Sequence, residues 1–571
     1  MLETSLQAPA DFRPSGSSFV ALPEGPGFDF SGPPPMTRPL LVIGLDGATW
    51  DLIGPWAEAG ELPFFRRLLQ EGARGPLRSV TPNLTPPGWT TAFTGVNPGK
   101  HGIFDFFTLD AGAEALRVVS SADRRAPALW EILSAAERRV GVFNVPCTYP
   151  ADTVSGFFVT GMGTPALEGP WTHPAAEGEA IRRDFPAFRA GADPKPIAEG
   201  RLEAYLDDLY ALTEIQERLF LDRARRYGCD VGIFVYDDVD RVMHFFWRFM
   251  DENHPRHEKA PERLRNAIRS YYRRLDEGME RMWEAWGTGA DLCVLSDHGF
   301  GPLHTDVFLN RIFADRGFLA PLPLAAELIR KPLWKRAARV LVPQGLRTWF
   351  RRNVKASPLG NPLGWIDWER TRAFYASVSG RSVYLNVKGR QPRGTVEPGA
   401  EYEAVRAQLR ELLLSLKDPS TGERIARDVH FREEVYRGPF VEQAPDLVIQ
   451  EDGRYAYRVD WSERAFAPAS QYGVDKSGSH RRDGILLLHG PSFKGATLEG
   501  AALEDVTPTL LAAAGLPAGE EMDGRVLEEA LRVPPPAGRA SYAALRGGKG
   551  SSLDAGEEAE LAERLKGLGY M

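Results

Sequence analysis

Carboxylate and imidazole side chains lie beside several apolar runs of this sequence. Each run has the length of a buried strand, and open α/β sheets carry their chemistry where such strands end. Asp240 and His244 follow the run 231–236 and are four residues apart, so a helix that starts there would present both on one face. The full set comprises three carboxylates and three imidazoles: Asp46, Asp240, His244, Asp297, His298 and His480.

Taken one at a time, these residues have ordinary explanations. An Asp at a strand end, such as Asp46, commonly forms a turn or caps a helix, and a lone loop histidine such as His480 is commonly just exposed. Together, six nitrogen and oxygen ligands suit two divalent ions that keep open positions for water and substrate. The ligand types favour zinc, with manganese as the alternative. Gly299, directly after His298, would let the backbone turn sharply.

Thr85 is the candidate nucleophile. It stands ahead of two prolines in the segment 84–87 (LTPP), and proline is favoured in the first turn of a helix. We therefore expect Thr85 at a helix N-cap, where backbone N–H groups and the helix dipole favour an anion. Without the ligand set, a plain capping threonine would be the simpler interpretation. Three further threonines would fall inside the helix and be less accessible: Thr90, Thr91 and Thr94.

The elements that must position these residues alternate along the chain. Repeated strand–helix–strand patterns predict a doubly wound, mainly parallel α/β sheet. The predicted strands are short apolar runs at 40–45, 139–145, 231–236, 292–296, 447–449 and 485–488. The predicted helices include 128–137, 202–227, 261–286 and 505–514. The Gly- and Pro-rich segment 163–195 is typical of a long surface loop.

The chain is organised, on this interpretation, around one catalytic domain at 37–530, with a disordered N-terminal tail at 1–36 and a C-terminal tail at 531–571. We predict two insertions, a basic helical one at 319–368 and a smaller α+β one at 372–448. Within the first, residues 330–355 carry nine basic side chains and no acidic one. They form either a solvated helical face or a contact with an anionic substrate or a membrane surface.

The composition limits the other classes of protein. A 571-residue chain with 43% hydrophobic and 26% charged residues is typical of a soluble globular protein, and its net charge of −8 argues against a nucleic-acid-coating protein. Three separated cysteines without CxxC spacing argue against a disulfide framework and a cysteine zinc site. We see no signal peptide and no apolar run of membrane-spanning length, so we expect a cytoplasmic protein. The oligomeric state stays open.

The ordered set of motifs resembles the type I phosphodiesterase/nucleotide pyrophosphatase branch of the alkaline phosphatase superfamily. The resemblance runs from about residue 39 to 527. Each motif is short, but the order of the motifs along the chain is specific. The motifs are Asp46, the segment 84–87 (LTPP), the segment 94–103 (TGVNPGKHGI), Asp240-x-x-x-His244, the segment 296–299 (SDHG), His480, the segment 505–510 (DVTPTL) and the segment 522–524 (MDG).

The resemblance implies two zinc ions and a small phosphorylated substrate. One ion would be held by Asp240, His244 and His480. The other would be held by a second triad and would also hold the Thr85 oxygen: Asp46, Asp297 and His298. The implied reaction is in-line attack of Thr85 on phosphorus, which gives a phospho-threonine that water then hydrolyses.

One departure from the family pattern concerns the substrate. Nucleotide pyrophosphatases of this family place an Asn about twenty residues after the nucleophile, whereas this chain has Phe104, Asp105 and Phe106 there. The sulfatase nucleophile motif is also absent from the segment around Thr85. A phosphodiesterase or nucleotide pyrophosphatase is the first hypothesis. The alternatives are a phosphomonoesterase, a phosphonate hydrolase, a phosphotransferase onto a lipid or glycan, and, from another class, a binding protein with a dead site.

Overall fold

The computed structural model describes residues 38–109, 112, 114, 116–287, 289–323, 362–377, 380–451, 453–469, 475–545 and 553–567. The predicted N-terminal tail at 1–36, the basic segment 330–355 and most of the predicted insertion 319–368 lie outside these residues. No helix within the described residues is long and apolar enough to cross a membrane.

A nine-stranded sheet forms the centre of the described chain. In spatial order its strands are β20 (Ala496–Thr497), β2 (Ala73–Arg78), β19 (Asp483–His489), β9 (Asp291–Leu295), β1 (Leu40–Leu45), β8 (Val231–Tyr236), β5 (Val140–Val145), β6 (Phe157–Thr160) and β7 (Thr172–His173). Within this sheet β19 and β7 pair antiparallel with their neighbours, and the other pairings are parallel. The predicted mainly parallel α/β fold is therefore confirmed.

Strand β1 shows why the central strands are apolar throughout. Leu41, Ile43 and Leu45 pack into one hydrophobic core, and Leu40 and Val42 pack into the core on the opposite face. Side chains alternate between the two faces of a strand, so a strand covered on both sides needs apolar residues at every position. Full burial of each such side chain contributes about 1.5–3 kcal/mol.

Helices cover both faces of this sheet. One core receives side chains from α1 (Trp50–Glu58), α2 (Pro63–Glu71), α8 (Leu202–Tyr227), α9 (Asp238–Met250) and α11 (Ala267–Trp286). The other receives them from α3 (Thr85–Thr94), α5 (Leu129–Ala135) and α15 (Val506–Ala513). The remaining helices are α4 (Pro98–His101), α6 (Ala176–Asp184), α7 (Lys195–Ala198), α10 (Glu262–Arg265), α12 (Leu309–Asp315), α13 (Ala400–Ser415), α14 (Arg432–Val435) and α16 (Ala555–Gly567).

Two predicted elements differ from the structure. The predicted helix 261–286 is divided at Asn266 into α10 and α11. The segment 163–195 is not a surface loop, because it contains β7 and α6 and buries Trp171 in the core. Its Pro and Gly content misled the prediction, since apolar residues at a few positions were enough to anchor it.

A separate four-stranded sheet lies in the region of the predicted α+β insertion. Its strands, in spatial order, are β12 (Ala373–Tyr375), β13 (Ser382–Leu385), β15 (Leu447–Gln450) and β14 (Asp428–Phe431), and all pairings are antiparallel. Helix α13 shares its hydrophobic core. We call residues 373–450 the α+β unit. The predicted strand 447–449 thus belongs to this unit and not to the central sheet.

The remaining strands form small sheets. They are β10 (Gly299–Pro302) with β18 (Gly478–Arg481), β16 (Tyr455–Arg458) with β11 (Thr305–Phe308) and β17 (Phe466–Pro468), β3 (Phe107–Thr108) with β4 (Arg117–Val118), and β21 (Ala518–Gly519) with β22 (Arg539–Ala540).

The predicted C-terminal tail contains structure that packs on the domain. Helix α16 buries Leu561 and Leu565 against a cluster that includes Phe106 and Met162. The Glu558 carboxylate accepts a hydrogen bond from the backbone N–H of Val118 at 3.1 Å. The domain boundaries themselves stay a prediction.

Candidate active site

Register in the central sheet brings three of the predicted strand ends together. Leu45 of β1 lies opposite Tyr236 of β8, and Gly44 lies opposite Leu295 of β9. The residues that follow these strands therefore emerge at one edge of the sheet. The backbone N–H of Asp46 donates to the Tyr236 carbonyl at 3.0 Å, which fixes Asp46 at that edge.

Asp46, Asp297 and His298 form one side of the site. All three side chains are fully buried. His298 Nε2 lies 3.5 Å from Asp46 Oδ1 and 3.3 Å from Asp297 Oδ2. The Gly47 N–H donates to Asp297 Oδ1 at 3.3 Å, and this leaves Oδ2 directed at the histidine.

Asp240 and His244 come from the first turns of α9, as the four-residue spacing predicts. Their side chains lie on one face, with His244 Nε2 3.3 Å from Asp240 Oδ1. The helix begins at Asp238, directly after β8. Asp237 and Asp238 do not point into this set, because both accept hydrogen bonds from the Arg241 guanidinium.

His480 reaches the same place from a direction that the sequence did not predict. It lies on β18, opposite Phe300 in the two-stranded ribbon with β10, and not in a loop. Its ring stacks on that of His298 at 3.7 Å between centroids. His480 Nε2 lies 3.2 Å from both Asp240 Oδ1 and His244 Nε2.

Gly299 is required for a reason other than the predicted sharp turn. It does not adopt a positive φ, so no sharp turn explains it. A Cβ at this position would lie 2.1 Å from the Asp483 carbonyl oxygen. Glycine is therefore required by the close approach of the β18–β19 connection to the residue that follows His298.

The six residues thus converge in one buried cluster, which we call the carboxylate–histidine cluster: Asp46, Asp240, His244, Asp297, His298 and His480. Two triads of ligand atoms have mutual distances within 4.8 Å, one made of Asp46, Asp297 and His298 and the other of Asp240, His298 and His480. The second triad contains His298 where the family resemblance implies His244. Since His244 Nε2 is within 3.3 Å of both other members, the geometry keeps it in the set, with His298 between the two groups.

The histidine tautomers show what the cluster can bind. Nδ1 of each ring faces a backbone carbonyl, which can only accept a hydrogen bond: Gly478 for His244 at 2.7 Å, Gly299 for His298 at 3.1 Å and Asn83 for His480 at 3.1 Å. Nδ1 is therefore the donor, and each Nε2 presents a lone pair. This arrangement is typical of histidines that ligate a metal.

The lone pairs face further acceptors. Asp46 Oδ1 and Asp297 Oδ2 are buried and receive no hydrogen bond from the residues that the structure describes. Buried acceptors that face one another at 3.2–3.5 Å need cations between them, either protons or metal ions. Nitrogen and carboxylate donors in this number and type fit two divalent ions such as zinc or manganese.

The pKa values follow from this burial. Burial, reinforced by nearby carboxylates, raises the pKa of Asp46 well above its usual value, and burial also raises the pKa of Asp297. For Asp240 burial acts in the same direction, but His244 and His480 outweigh it and lower the pKa. Burial lowers the pKa of His244 to about 4 and that of His298 well below its ordinary value. The imidazoles of His244 and His298 are thus neutral at pH 7, as metal ligands must be.

Thr85 lies beside this cluster. Its Oγ1 is 3.4 Å from His298 Nε2, and its side chain is buried. It is the first residue of α3, while Leu84 occupies the N-cap, so the predicted N-cap position was wrong by one residue. Helix ends are commonly uncertain by that much from sequence.

The start of α3 offers fewer backbone N–H donors for an anion than the sequence predicts. Pro86 and Pro87 have no N–H, the Gly88 N–H donates to the Leu84 carbonyl, and the Leu84 N–H donates to Pro82. Of the donors that a helix N-terminus normally leaves unused, only the Thr85 N–H remains. The two prolines therefore fix the backbone direction at Thr85 and do not supply a phosphate cradle.

Two further residues at the site were not predicted from the sequence. Trp89, one helical turn after Thr85, donates from Nε1 to Asp46 Oδ2 at 3.0 Å. Its four-residue spacing from Thr85 was the available signal. Asn83 supplies the carbonyl for His480 and carries no signal in the sequence.

Asp105, in the region where the family pattern has Asn, lies at the border with the α+β unit. Its carboxylate accepts hydrogen bonds from the Phe106 N–H at 2.7 Å and from the Ser377 hydroxyl. The side chain is buried.

The segment 94–103, one of the motifs of the family resemblance, forms a structural turn. Asp523 accepts hydrogen bonds from the Asn97 backbone and side chain at 2.9 Å, and from Lys100 Nζ at 2.6 Å. The buried His101 lies 2.9 Å from Thr91 Oγ1. These contacts hold the turn after α3 and contribute no group to the carboxylate–histidine cluster.

Comparison with known proteins gives a family match and structures of similar fold. Residues 40–484 match the family model described as Type I phosphodiesterase / nucleotide pyrophosphatase. The phosphonoacetate hydrolase of Sinorhizobium meliloti 1021, solved in complex with phosphonoacetate, has a TM-score of 0.52 and 15% identity, covering 84% of this chain and 97% of its own. Human ectonucleotide pyrophosphatase / phosphodiesterase 5 has a TM-score of 0.46 and 12% identity, covering 86% and 100%. No curated protein matches the sequence.

Proposed function

Because the chain belongs to the type I phosphodiesterase/nucleotide pyrophosphatase family of the alkaline phosphatase superfamily, a family of hydrolases of phosphoester or phosphoanhydride bonds, we propose that it is a metal-dependent phosphodiesterase or nucleotide pyrophosphatase that acts through a phospho-threonine at Thr85. The observation that carries this proposal is the position of Thr85 Oγ1, 3.4 Å from His298 Nε2 and directly beside the carboxylate–histidine cluster.

The six residues of the carboxylate–histidine cluster would hold two divalent ions. When bound, the ions would supply Lewis-acid stabilisation of the charge that develops on the attacking and leaving oxygens. The chain itself orients four of these ligands, since three backbone carbonyls fix the imidazole rings and Trp89 fixes Asp46.

Thr85 then has one task. Its oxygen forms a bond to phosphorus and loses its proton to solvent water, while the bond to the leaving group breaks and the leaving group departs with the bonding electron pair. Water later hydrolyses the phosphoryl group from the threonine. The rigid start of α3, with two prolines after Thr85, holds this oxygen in place before the substrate arrives. Such preorganisation reduces the entropy that the reaction must otherwise lose.

The test combines metal content with a substrate panel. Purified protein should contain about two zinc or manganese ions per chain by elemental analysis. Dialysis against a chelator should abolish hydrolysis, and one of the two metals should restore it. The panel contains bis(4-nitrophenyl) phosphate, 4-nitrophenyl phosphate, a dinucleotide pyrophosphate and phosphonoacetate, which is the ligand of the Sinorhizobium meliloti hydrolase.

The outcomes separate the hypotheses. Highest kcat/KM on the diester or the pyrophosphate supports the proposal, whereas preference for the monoester or for phosphonoacetate would replace it with a phosphomonoesterase or a phosphonate hydrolase. The protein could also bind neither metal, or hydrolyse no substrate of the panel with either metal. Either result would contradict an active hydrolase and would favour the binding protein with a dead site.

A further inference from the structure

Asn83 connects the carboxylate–histidine cluster to the α+β unit. Its backbone carbonyl accepts the hydrogen bond from His480 Nδ1 at 3.1 Å. Its side-chain Oδ1 accepts a second hydrogen bond from Arg381 Nη1 at 2.6 Å. Asn83 also stands two residues before Thr85, so one short segment leads to both a histidine and the threonine.

Arg381 is held firmly within the α+β unit. It directly precedes β13, and its carbonyl accepts from the Ile449 N–H of β15 at 2.8 Å. Its side chain is 5% exposed, and Nη2 forms an ion pair with Glu451 Oε1. The two branches of one planar guanidinium therefore bind different partners: one binds the carboxylate of Glu451, directly after β15, and the other binds the side-chain amide oxygen of Asn83 beside the cluster.

The three histidines differ in how their carbonyl partners are supported. The carbonyls of Gly478 and Gly299 belong to the paired strands β18 and β10, whose ladder fixes them. The Asn83 carbonyl lies in an irregular segment between β2 and α3. Irregular backbone needs side-chain hydrogen bonds to hold a direction that a strand obtains from its ladder.

We propose that Arg381 is a positioning residue for His480: it fixes the Asn83 peptide so that its carbonyl holds the His480 ring with Nε2 directed into the cluster. This inference rests on the proposed function, because it assumes that the cluster binds metal. A lysine could not replace the arginine fully, since a single ammonium lacks the fork that spans Glu451 and Asn83. Loss of a group that orients a metal-binding histidine typically lowers metal affinity or activity 10- to 100-fold.

The experiment measures zinc binding by competition with a chromogenic chelator, without substrate. For Arg381→Gln we expect one of the two zinc dissociation constants to rise about 10- to 100-fold. Arg381→Lys should recover part of that loss. Arg390→Gln is the matched control, because Arg390 also forms an ion pair inside the α+β unit, with Asp446, and has no contact with Asn83. It should lower the melting temperature of the metal-free protein and leave both zinc constants unchanged.

Variants of Asn83 test the same link without removing a buried charge. Asn83→Ala removes the acceptor for Arg381 and should weaken the same zinc site, whereas Asn83→Asp keeps an acceptor and should retain near-wild-type affinity. These variants decide the question even if Arg381→Gln fails to fold. Unchanged zinc affinity in Asn83→Ala, or equal weakening by Arg390→Gln, would overturn the proposal. Wild-type zinc binding is a separate readout, and its absence would contradict the proposed function itself.

Discussion

The four threonines of α3 differ in what their hydroxyls contact. Thr90 donates to the Pro86 carbonyl at 2.7 Å, Thr94 donates to the Thr90 carbonyl at 2.6 Å, and Thr91 is paired with His101. Only the Thr85 hydroxyl, within the described residues of this helix, faces the carboxylate–histidine cluster. Accessibility does not distinguish them, since all four are buried. The direction in which the hydroxyl points distinguishes Thr85 from the other three.

Substitution of Thr85 should therefore affect turnover selectively. Thr85→Ala should lower kcat by about a hundredfold or more, on the scale of losing a main catalytic group. Thr85→Ser keeps the oxygen and should retain part of the rate. Mass spectrometry of protein quenched during turnover should find the phosphoryl group on the peptide that contains Thr85.

Thr90→Ala is the control for this prediction. Its hydroxyl bonds back to its own helix, so its loss should change stability slightly and kcat little. A covalent adduct on Thr90 or Thr91, or normal turnover by Thr85→Ala, would contradict the assignment of the nucleophile.

Asp105 should make stability depend on pH. Burial raises the pKa of Asp105 to about 6, against an ordinary value of 3.8, although hydrogen bonds from Ser377 and Phe106 act in the opposite direction. The folded protein therefore holds this proton more tightly than the unfolded chain does. Its contribution to stability is complete below pH 4 and is lost as the pH rises to about 6, a change of about 3 kcal/mol.

Asp105→Asn removes the titration and nearly keeps the shape of the side chain. In a metal-free buffer its melting temperature, relative to wild type, should increase between pH 4 and 6 and stay constant above that range. The exposed Asp51→Asn should follow the wild-type curve. A difference between Asp105→Asn and wild type that does not vary with pH would show that Asp105 has the same pKa in the folded and unfolded states, and it would contradict this prediction.

At the level of secondary-structure elements, the turn between α3 and α4 depends on a distant carboxylate. Asp523 binds the backbone and side chain of Asn97 and the ammonium of Lys100. Gly95 ends α3 with φ of 71°, the left-handed conformation in which glycine commonly ends a helix. Asp523 accepts hydrogen bonds from Asn97 in the turn that follows, and it thereby anchors the end of the helix that is opposite to Thr85.

Asp523→Ala should lower the free energy of unfolding by about 1–3 kcal/mol, because it leaves donors at Asn97 without their acceptor. Chemical denaturation with intrinsic tryptophan fluorescence measures this change. Zinc content and KM should stay close to wild type, since no atom of this turn enters the carboxylate–histidine cluster. The exposed neighbour Glu520→Ala should have little effect, and loss of zinc from Asp523→Ala would give the motif a direct role at the metal site.

For the molecule as a whole, the C-terminal helix α16 closes a hydrophobic surface of the domain. Leu561 and Leu565 are 1% and 2% exposed, in contact with a cluster that includes Phe107 and Val118. Arg564 donates to the Thr164 carbonyl at 3.2 Å. The helix therefore connects two segments of the domain that are distant in the sequence.

The double substitution Leu561→Ala/Leu565→Ala should lower the melting temperature. Each buried Leu→Ala change costs about 2–5 kcal/mol in a closed core. Here we expect a smaller loss, because detachment of a terminal helix would limit it to the free energy of docking. Differential scanning fluorimetry should show the decrease, together with increased binding of a hydrophobic dye. Glu560→Ala, on the exposed face, is the control, and equal melting temperatures for both variants would mean that α16 does not dock in solution.

The sequence was sufficient for the features that depend on local pattern. Uninterrupted apolar runs identified β1 and β8 to the residue, because a strand buried on both faces needs apolar side chains throughout. The spacing of Asp240 and His244 predicted their common face because helix geometry fixes it. The sequence also allowed the ligand residues to be proposed, because the carboxyl ends of parallel strands lie at one edge of the sheet. The compartment and the membrane contact of segment 330–355 stay predictions.

Features that depend on contacts between distant segments could not be read in this way. His480 meets His244 across 236 positions, Asp105 meets Ser377 across 272, and Asn83 meets Arg381 across 298. No periodicity or spacing links such residues, because the chain between them can take many paths. The central sheet, the β10–β18 ribbon and the α+β unit determine which of them meet. Packing also determined the docking of α16. The sequence around Leu561 and Leu565 does not indicate which surface of the domain covers them.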